Sequence, residues 1–99
     1  MNYFEQKVLD PDFSLKRMAE YFSMSDSNIS RFFKQEAGKN FSDIIVQYRI
    51  NEAKMLLSNS DLHIREIVTR VGYFDVSSFC RKFKRVVGMT PGEYRKENK

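Results

Sequence analysis

Two stretches of this 99-residue chain are copies of one layout, and that repeat constrains the fold more than anything else in it. Leu15, Met18, Ala19, Phe22 and Met24 recur 49 positions later as Ile64, Ile67, Val68, Val71 and Tyr73. Ser27, Ile29, Arg31, Phe33, Lys34 and Gly38 recur 50 positions later as Ser77, Phe79, Arg81, Phe83, Lys84 and Gly88. The slip of one residue falls between Met24 and Ser27, so the second copy has the longer turn. In each copy an apolar stripe at helical spacing is followed by a tight turn. A second helical stretch then alternates apolar anchors with Ser, Arg and Lys. Helix, tight turn and basic helix together make the layout of a helix-turn-helix, here present twice.

The spacing predicts helices throughout. One lies near residues 2–9 and ends before Asp10-Pro11, because a residue preceding proline avoids the helical region. Ser14 is a good N-cap for a helix through Phe22. A turn at 23–25 leads to the first reading helix, 26–37, closed by Gly38. A long helix spans 41–58, His63 opens another that runs to Val71, and the second reading helix covers 76–87 and stops at Gly88. Pro91 starts a short terminal helix through Lys96. The long helix carries two apolar stripes: Phe41, Ile44, Ile45, Tyr48, Met55 and Leu56 on one side, and Val46, Ile50, Ala53 and Leu57 nearly opposite. Two stripes describe a strut between two subdomains better than a helix buried in one larger core. The chain is therefore read as all-α, with a first subdomain at 8–40, a linker helix at 41–58 and a second subdomain at 59–99.

The stretch from Gly72 to Arg95, GYFDVSSFCRKFKRVVGMTPGEYR, resembles the C-terminal signature of AraC/XylS-type transcription regulators. Gly72, Phe79, Arg81, Phe83, Lys84, Gly88, Thr90, Pro91 and Tyr94 all fall in the pattern's places. The likeness extends over residues 8–96, with a weaker first turn, Phe22-Ser23-Met24-Ser25, that lacks the glycine supplied by Gly72 in the second copy. It implies about seven helices in two homeodomain-like subdomains, sequence-specific binding to double-stranded DNA and control of transcription in a bacterial cytoplasm. It also implies RNA polymerase as a partner and a sensor or receiver domain on the N-terminal side. Met1 would then be the start either of an excised domain or of a stand-alone regulator.

Composition agrees with a helical binding domain. At 41% apolar residues the chain has enough for a modest core, and it has only two prolines and four glycines. It has no run of about 18 apolar residues that could span a membrane. The opening MNYFEQKVLDPDF has neither the basic nor the apolar region of a signal peptide. The lone Cys80 excludes an internal disulfide. One His, one Cys, no glycine-rich phosphate loop and no clustered carboxylates leave nothing from which to build a catalytic, metal or cofactor site. The net charge of +4 is unevenly spread: residues 76–99 hold seven basic and two acidic side chains, and residues 1–75 hold ten basic and eleven acidic. Such a segment suits a polyanion, though a charge run is also an ordinary solvated face.

The outward residues of the first reading helix are Ser27, Asn28, Ser30 and Arg31, and those of the second are Val76, Ser77, Cys80 and Arg81; these are the candidates for base contact. Arginine's planar fork matches guanine O6 and N7 in the major groove. Lys34, Lys39, Lys84 and Arg85 are the candidates for phosphate contact, since a flexible ammonium acts as a point charge. Each assignment has a competitor. Arg31 or Arg81 could pair internally with Asp26, Asp75 or Glu20, and Ser27 and Ser77 could cap helices instead. Val76 could meet a thymine methyl or pack locally. Phe32 is expected to cover the flank of the long helix. Cys80 beside Arg81 admits a lowered thiol pKa and a redox switch, against the plainer reading of a small residue at a tight interface. A small protein-interaction module is the alternative to DNA binding, but it would call for apolar outward faces where Ser, Asn, Arg and Lys stand. The expected mode is a monomer placing two unlike helices in successive major grooves of an asymmetric site.

Overall fold

The computed structural model describes residues 7–99, and among them it is all-helical. Six helices follow one another: α1 Leu15–Tyr21, α2 Asp26–Ala37, α3 Phe41–Asn59, α4 Ile64–Arg70, α5 Val76–Val87 and α6 Pro91–Asn98. The helix expected near residues 2–9 falls mostly outside the described residues. Caps set most of the boundaries. The side chains of Ser14, Ser25, Asn40, Asp75 and Thr90 accept from backbone N–H groups of the first turns of α1, α2, α3, α5 and α6. Thr90 and Glu93 form a reciprocal capping box around Pro91. Gly38 and Gly88 end α2 and α5 in the left-handed conformation. Ser27 and Ser77 therefore cap nothing, and His63 precedes α4 without a side-chain capping bond.

The two turns share one hydrogen-bond pattern. Met24 N donates to Ala19 O and Ser23 N to Glu20 O; Tyr73 N donates to Val68 O and Gly72 N to Thr69 O. The caps that follow, Ser25 and Asp75, are 50 residues apart, whereas the turn residues are 49 apart. The added residue of the second turn is thus Phe74, whose ring is 82% exposed.

Packing divides into two cores. The first gathers Val8, Phe13, Met18, Ala19, Ile29, Phe33 and Phe41, with Phe41 tilted against Phe13 and edge-on to Phe33. The second gathers Ile50, Ala53, Leu57, Ile67, Val68, Val71, Phe79 and Phe83. α3 serves both, as a strut requires, and its two apolar stripes largely sort between them. Phe41, Ile44, Ile45 and Tyr48 meet the first core, while Val46, Ile50, Ala53 and Leu57, joined by Leu56, meet the second. Leu56 thus leaves the stripe on which its spacing placed it, and Met55 is half-exposed. The first subdomain reaches only about two turns along α3, so residues beyond Tyr48 answer to a different neighbour. The Cα envelope measures 43 × 22 × 22 Å, a rod with one unit at each end.

Candidate nucleic-acid interface

On α2 and α5 the apolar anchors decide which way the remaining side chains point. Ile29 and Phe33 are buried in the first core, and Phe79 and Phe83 are fully buried in the second. Arg31 and Arg81, midway between their anchors, are both exposed. Neither forms an ion pair with another described residue; the ion pairs among these residues are Arg17–Asp10 and Lys99–Asp61. Ser27, Asn28 and Lys34 are exposed on the same side of α2, with Ser30 half-buried at its edge. On α5, Ser77, Lys84 and Arg85 are exposed, whereas Val76 and Cys80 are half-buried and pack at the margin of the second core. Lys39 is exposed just before α3 and shares a shallow hollow with Asp43, Gln47 and Val86, between the two units.

The second reading face is braced in a way the repeat does not show. The Asp75 carboxylate accepts from Ser78 N at 3.1 Å and from Ser78 Oγ at 2.6 Å, and Ser78 Oγ in turn accepts from Arg81 Nη2 at 3.4 Å. The bonds from Ser78 hold the Asp75 carboxyl below the usual carboxylate range. Ser78, Arg81, Lys82 and Arg85 together line an open basic hollow of about 380 Å³ along α5. Ser78 was legible only as a serine three residues after an aspartate; its contact with Arg81 depends on the rotamers. The first unit has Asn28 and Arg31 at the matching places.

One open alternative closes, and two expectations change. Burial, with the Asp75 charge added, pushes the Cys80 thiol up rather than down, so Arg81 does not make it a reactive thiolate. Phe32 turns from the long helix to line an apolar hollow of about 320 Å³ with Met18, Phe22, Met24, Ile29 and Phe33. Part of the basic C-terminal charge is spent inside the fold. Arg95 donates to Leu57 O at 3.1 Å and Ser60 O at 3.2 Å, closing the end of α3, and Lys99 bonds Ser60 O and Asp61.

Sequence reasoning also passed over Arg49, the charged residue buried at the crossing between the cores. Its Nε donates to Val8 O and its Nη2 to Asp10 O, both at 2.8 Å, and its Cζ lies 5.5 Å from the centre of the Tyr73 ring. Burial lowers its pKa, and Tyr73 and Asp10 partly offset the shift. Nothing local marks it: in the α3 pattern it is one polar residue among several. No helix among the described residues is long and apolar enough to cross a membrane.

A family model described as a helix-turn-helix domain matches residues 18–97. The HTH-type transcriptional regulator YpdC of Escherichia coli is 35% identical over 77 residues, which cover 78% of this chain and 27% of that protein. The arabinose operon regulatory protein of Escherichia coli is 31% identical over 93 residues, covering 94% of this chain and 32% of the regulator. The chain thus spans about a third or less of these relatives. Among solved structures, the C-terminal domain of the two-component response regulator yesN from Fusobacterium nucleatum superposes with a TM-score of 0.92 at 36% identity. That match covers 95% of this chain and 91% of that one.

Proposed function

The chain belongs to the AraC-type helix-turn-helix family, and from that premise we propose that it reads an asymmetric double-stranded DNA site with α2 and α5 in successive major grooves. The observation that carries this reading is the matched exposure of Arg31 and Arg81, each held outward by two buried anchors and left without an ionic partner among the described residues. A guanidinium so placed has no ion pair to break, Arg81 giving up only its long bond to Ser78, and can fork onto guanine.

Base contact is assigned to Arg31 and Arg81 at the centre of each face. Ser27, Asn28 and Ser30 flank the first, and Ser77 flanks the second. Val76 and Cys80 offer only an edge, suited to a thymine methyl. Lys34, Lys39, Lys84 and Arg85 are assigned to phosphates. The 43 Å length of the rod is compatible with two grooves about 34 Å apart. Because the two reading faces differ in sequence, one chain binds as a monomer to two unlike base blocks.

By its share of the relatives' length, the chain is read as the DNA-binding part of a larger transcription regulator of the cytoplasm. It would work as a binding protein rather than an enzyme, with RNA polymerase and a sensor or receiver domain as partners. Selection of sites from random duplex DNA at physiological salt tests the reading. Two unequal base blocks about one helical turn apart are expected. A single block would remove one reading helix from the proposal, and no enrichment would overturn it.

A further inference from the structure

We propose that Arg49 is a positioning residue that fixes the two reading helices relative to each other, and with them the spacing between base blocks that the chain accepts. This rests on the DNA-reading function proposed above.

On α3, Arg49 stands between Tyr48, packed against the first core, and Ile50, buried in the second, and is itself 8% exposed. On one side its fork holds the carbonyls of Val8 and Asp10, and Val8 is a fully buried member of the first core. On the other side it lies over the ring of Tyr73, in the turn of the second unit. Tyr73 packs edge-on against Phe79 at 5.1 Å, and Phe79 is the first buried anchor of α5. The path from the first core to the second reading helix is therefore Val8 and Asp10, Arg49, Tyr73, Phe79.

The backbone makes room for this contact. A Cβ on Gly72 would lie 2.9 Å from Arg49 Nε and 2.8 Å from Leu9 O, so the guanidinium and the 8–10 segment close against the bare face of that glycine. Leu9 itself packs against both cores. A methionine or leucine at 49 would fill the volume and avoid the cost of burying a charge. What a hydrocarbon lacks is direction: apolar surfaces slide, while two forked hydrogen bonds and a stacked ring admit one orientation.

Orientation matters because DNA is helical. Adding one base pair between two blocks moves the second by about 3.4 Å along the axis and turns it by about a tenth of a turn. A stiff junction rejects that change, whereas a loose one follows it, since simultaneous engagement depends on geometry as much as on contacts.

The test uses Arg49→Met, which keeps the stem and removes the fork, and Tyr73→Leu, which leaves the two carbonyl bonds in place. Each is titrated with duplexes carrying the selected blocks at the preferred spacing, at one and two base pairs more or less, and with each block alone. The unaltered chain is expected to lose about tenfold or more at one base pair off. Both variants should keep single-block affinity within about twofold and flatten the spacing penalty to about threefold or less. A variant that binds single blocks normally and keeps the original spacing profile overturns the proposal. If Arg49→Met loses its helical circular dichroism, Tyr73→Leu decides the matter alone. If the unaltered chain selects no base blocks, the DNA-reading function fails first, and this inference with it.

Discussion

Ser23 and Gly72 hold matching places in the two turns and meet the same backbone demand with different residues. Both have positive φ, 55° for Ser23 and 95° for Gly72, but Ser23 is exposed whereas Gly72 is buried. For an L-residue the left-handed region costs about 1–2 kcal/mol. Ser23→Gly relieves that cost and gives back part of it in chain entropy, so a gain of about 0.5 kcal/mol in denaturant melts is expected. Gly72→Ala combines the strained φ with collisions against Leu9 O and Arg49, and a loss of more than about 2 kcal/mol is expected. Asp75 and Glu93 make a prediction of the opposite kind, read in pH. Their bonds to Ser78 and to Thr90 lower both carboxyls from ordinary values of 3.8 and 4.5. A depressed folded pKa means that the stabilisation is complete above the ordinary values and drains away as pH falls through the lowered ones. Thermal melts should therefore weaken below about pH 4.5. The double variant Asp75→Asn, Glu93→Gln should show a flatter acid limb; an unchanged limb would remove these caps from the account.

At the scale of elements, α3 shows how far periodicity reaches. Its length, its start after Asn40 and its apolar content were all readable, because caps and helical spacing are local properties. The allocation of its residues was readable only in part: one stripe, Val46, Ile50, Ala53 and Leu57, meets a single core throughout, while the other loses Met55 and Leu56. Met55 and Leu57 both lay on apolar stripes, yet Met55 is half-exposed and Leu57 is fully buried. Leu57→Ala should cost about 2–5 kcal/mol in chemical denaturation, and Met55→Ala less than about 0.5 kcal/mol. Equal costs would mean that α3 is buried on both sides at this height. The end of α3 was equally hidden. Arg95, read as part of a basic face, instead supplies two hydrogen bonds to carbonyls left open by the last turn. The reading helices were the most legible elements. Phe79 and Phe83, or Ile29 and Phe33, fix the inward direction, and the outward side chains follow from 3.6 residues per turn. Only flank positions such as Val76 and Cys80, half in and half out, escaped that rule.

For the whole molecule the question is what each cation does once the fold has taken its share. Arg49, Arg95 and Lys99 are engaged with carbonyls or a carboxylate, while Arg31, Lys34, Arg81, Lys84 and Arg85 remain exposed on the reading helices. Titrations against the selected site at several salt concentrations separate their roles. Arg81→Ala should cost about 1–3 kcal/mol and relax one base position, with little change in the salt slope. Lys84→Ala should weaken all sequences alike and reduce the slope by about one. If Arg31→Ala and Arg81→Ala both leave specific affinity untouched, the base-contact assignment is wrong. The residues alone determined that there are two units, where each turn falls, which phenylalanines anchor the reading helices and which side chains face away from them. All of that is written in spacings of a few residues and repeated twice. Tertiary structure alone decided that Leu56 joins the second core and Met55 neither, that Arg49 is buried and that Arg95 faces inward. Arg49 meets Val8 across 41 residues and Arg95 meets Leu57 across 38. No local period carries such distances, because a helix specifies its own faces but not the segment that comes to lie against them.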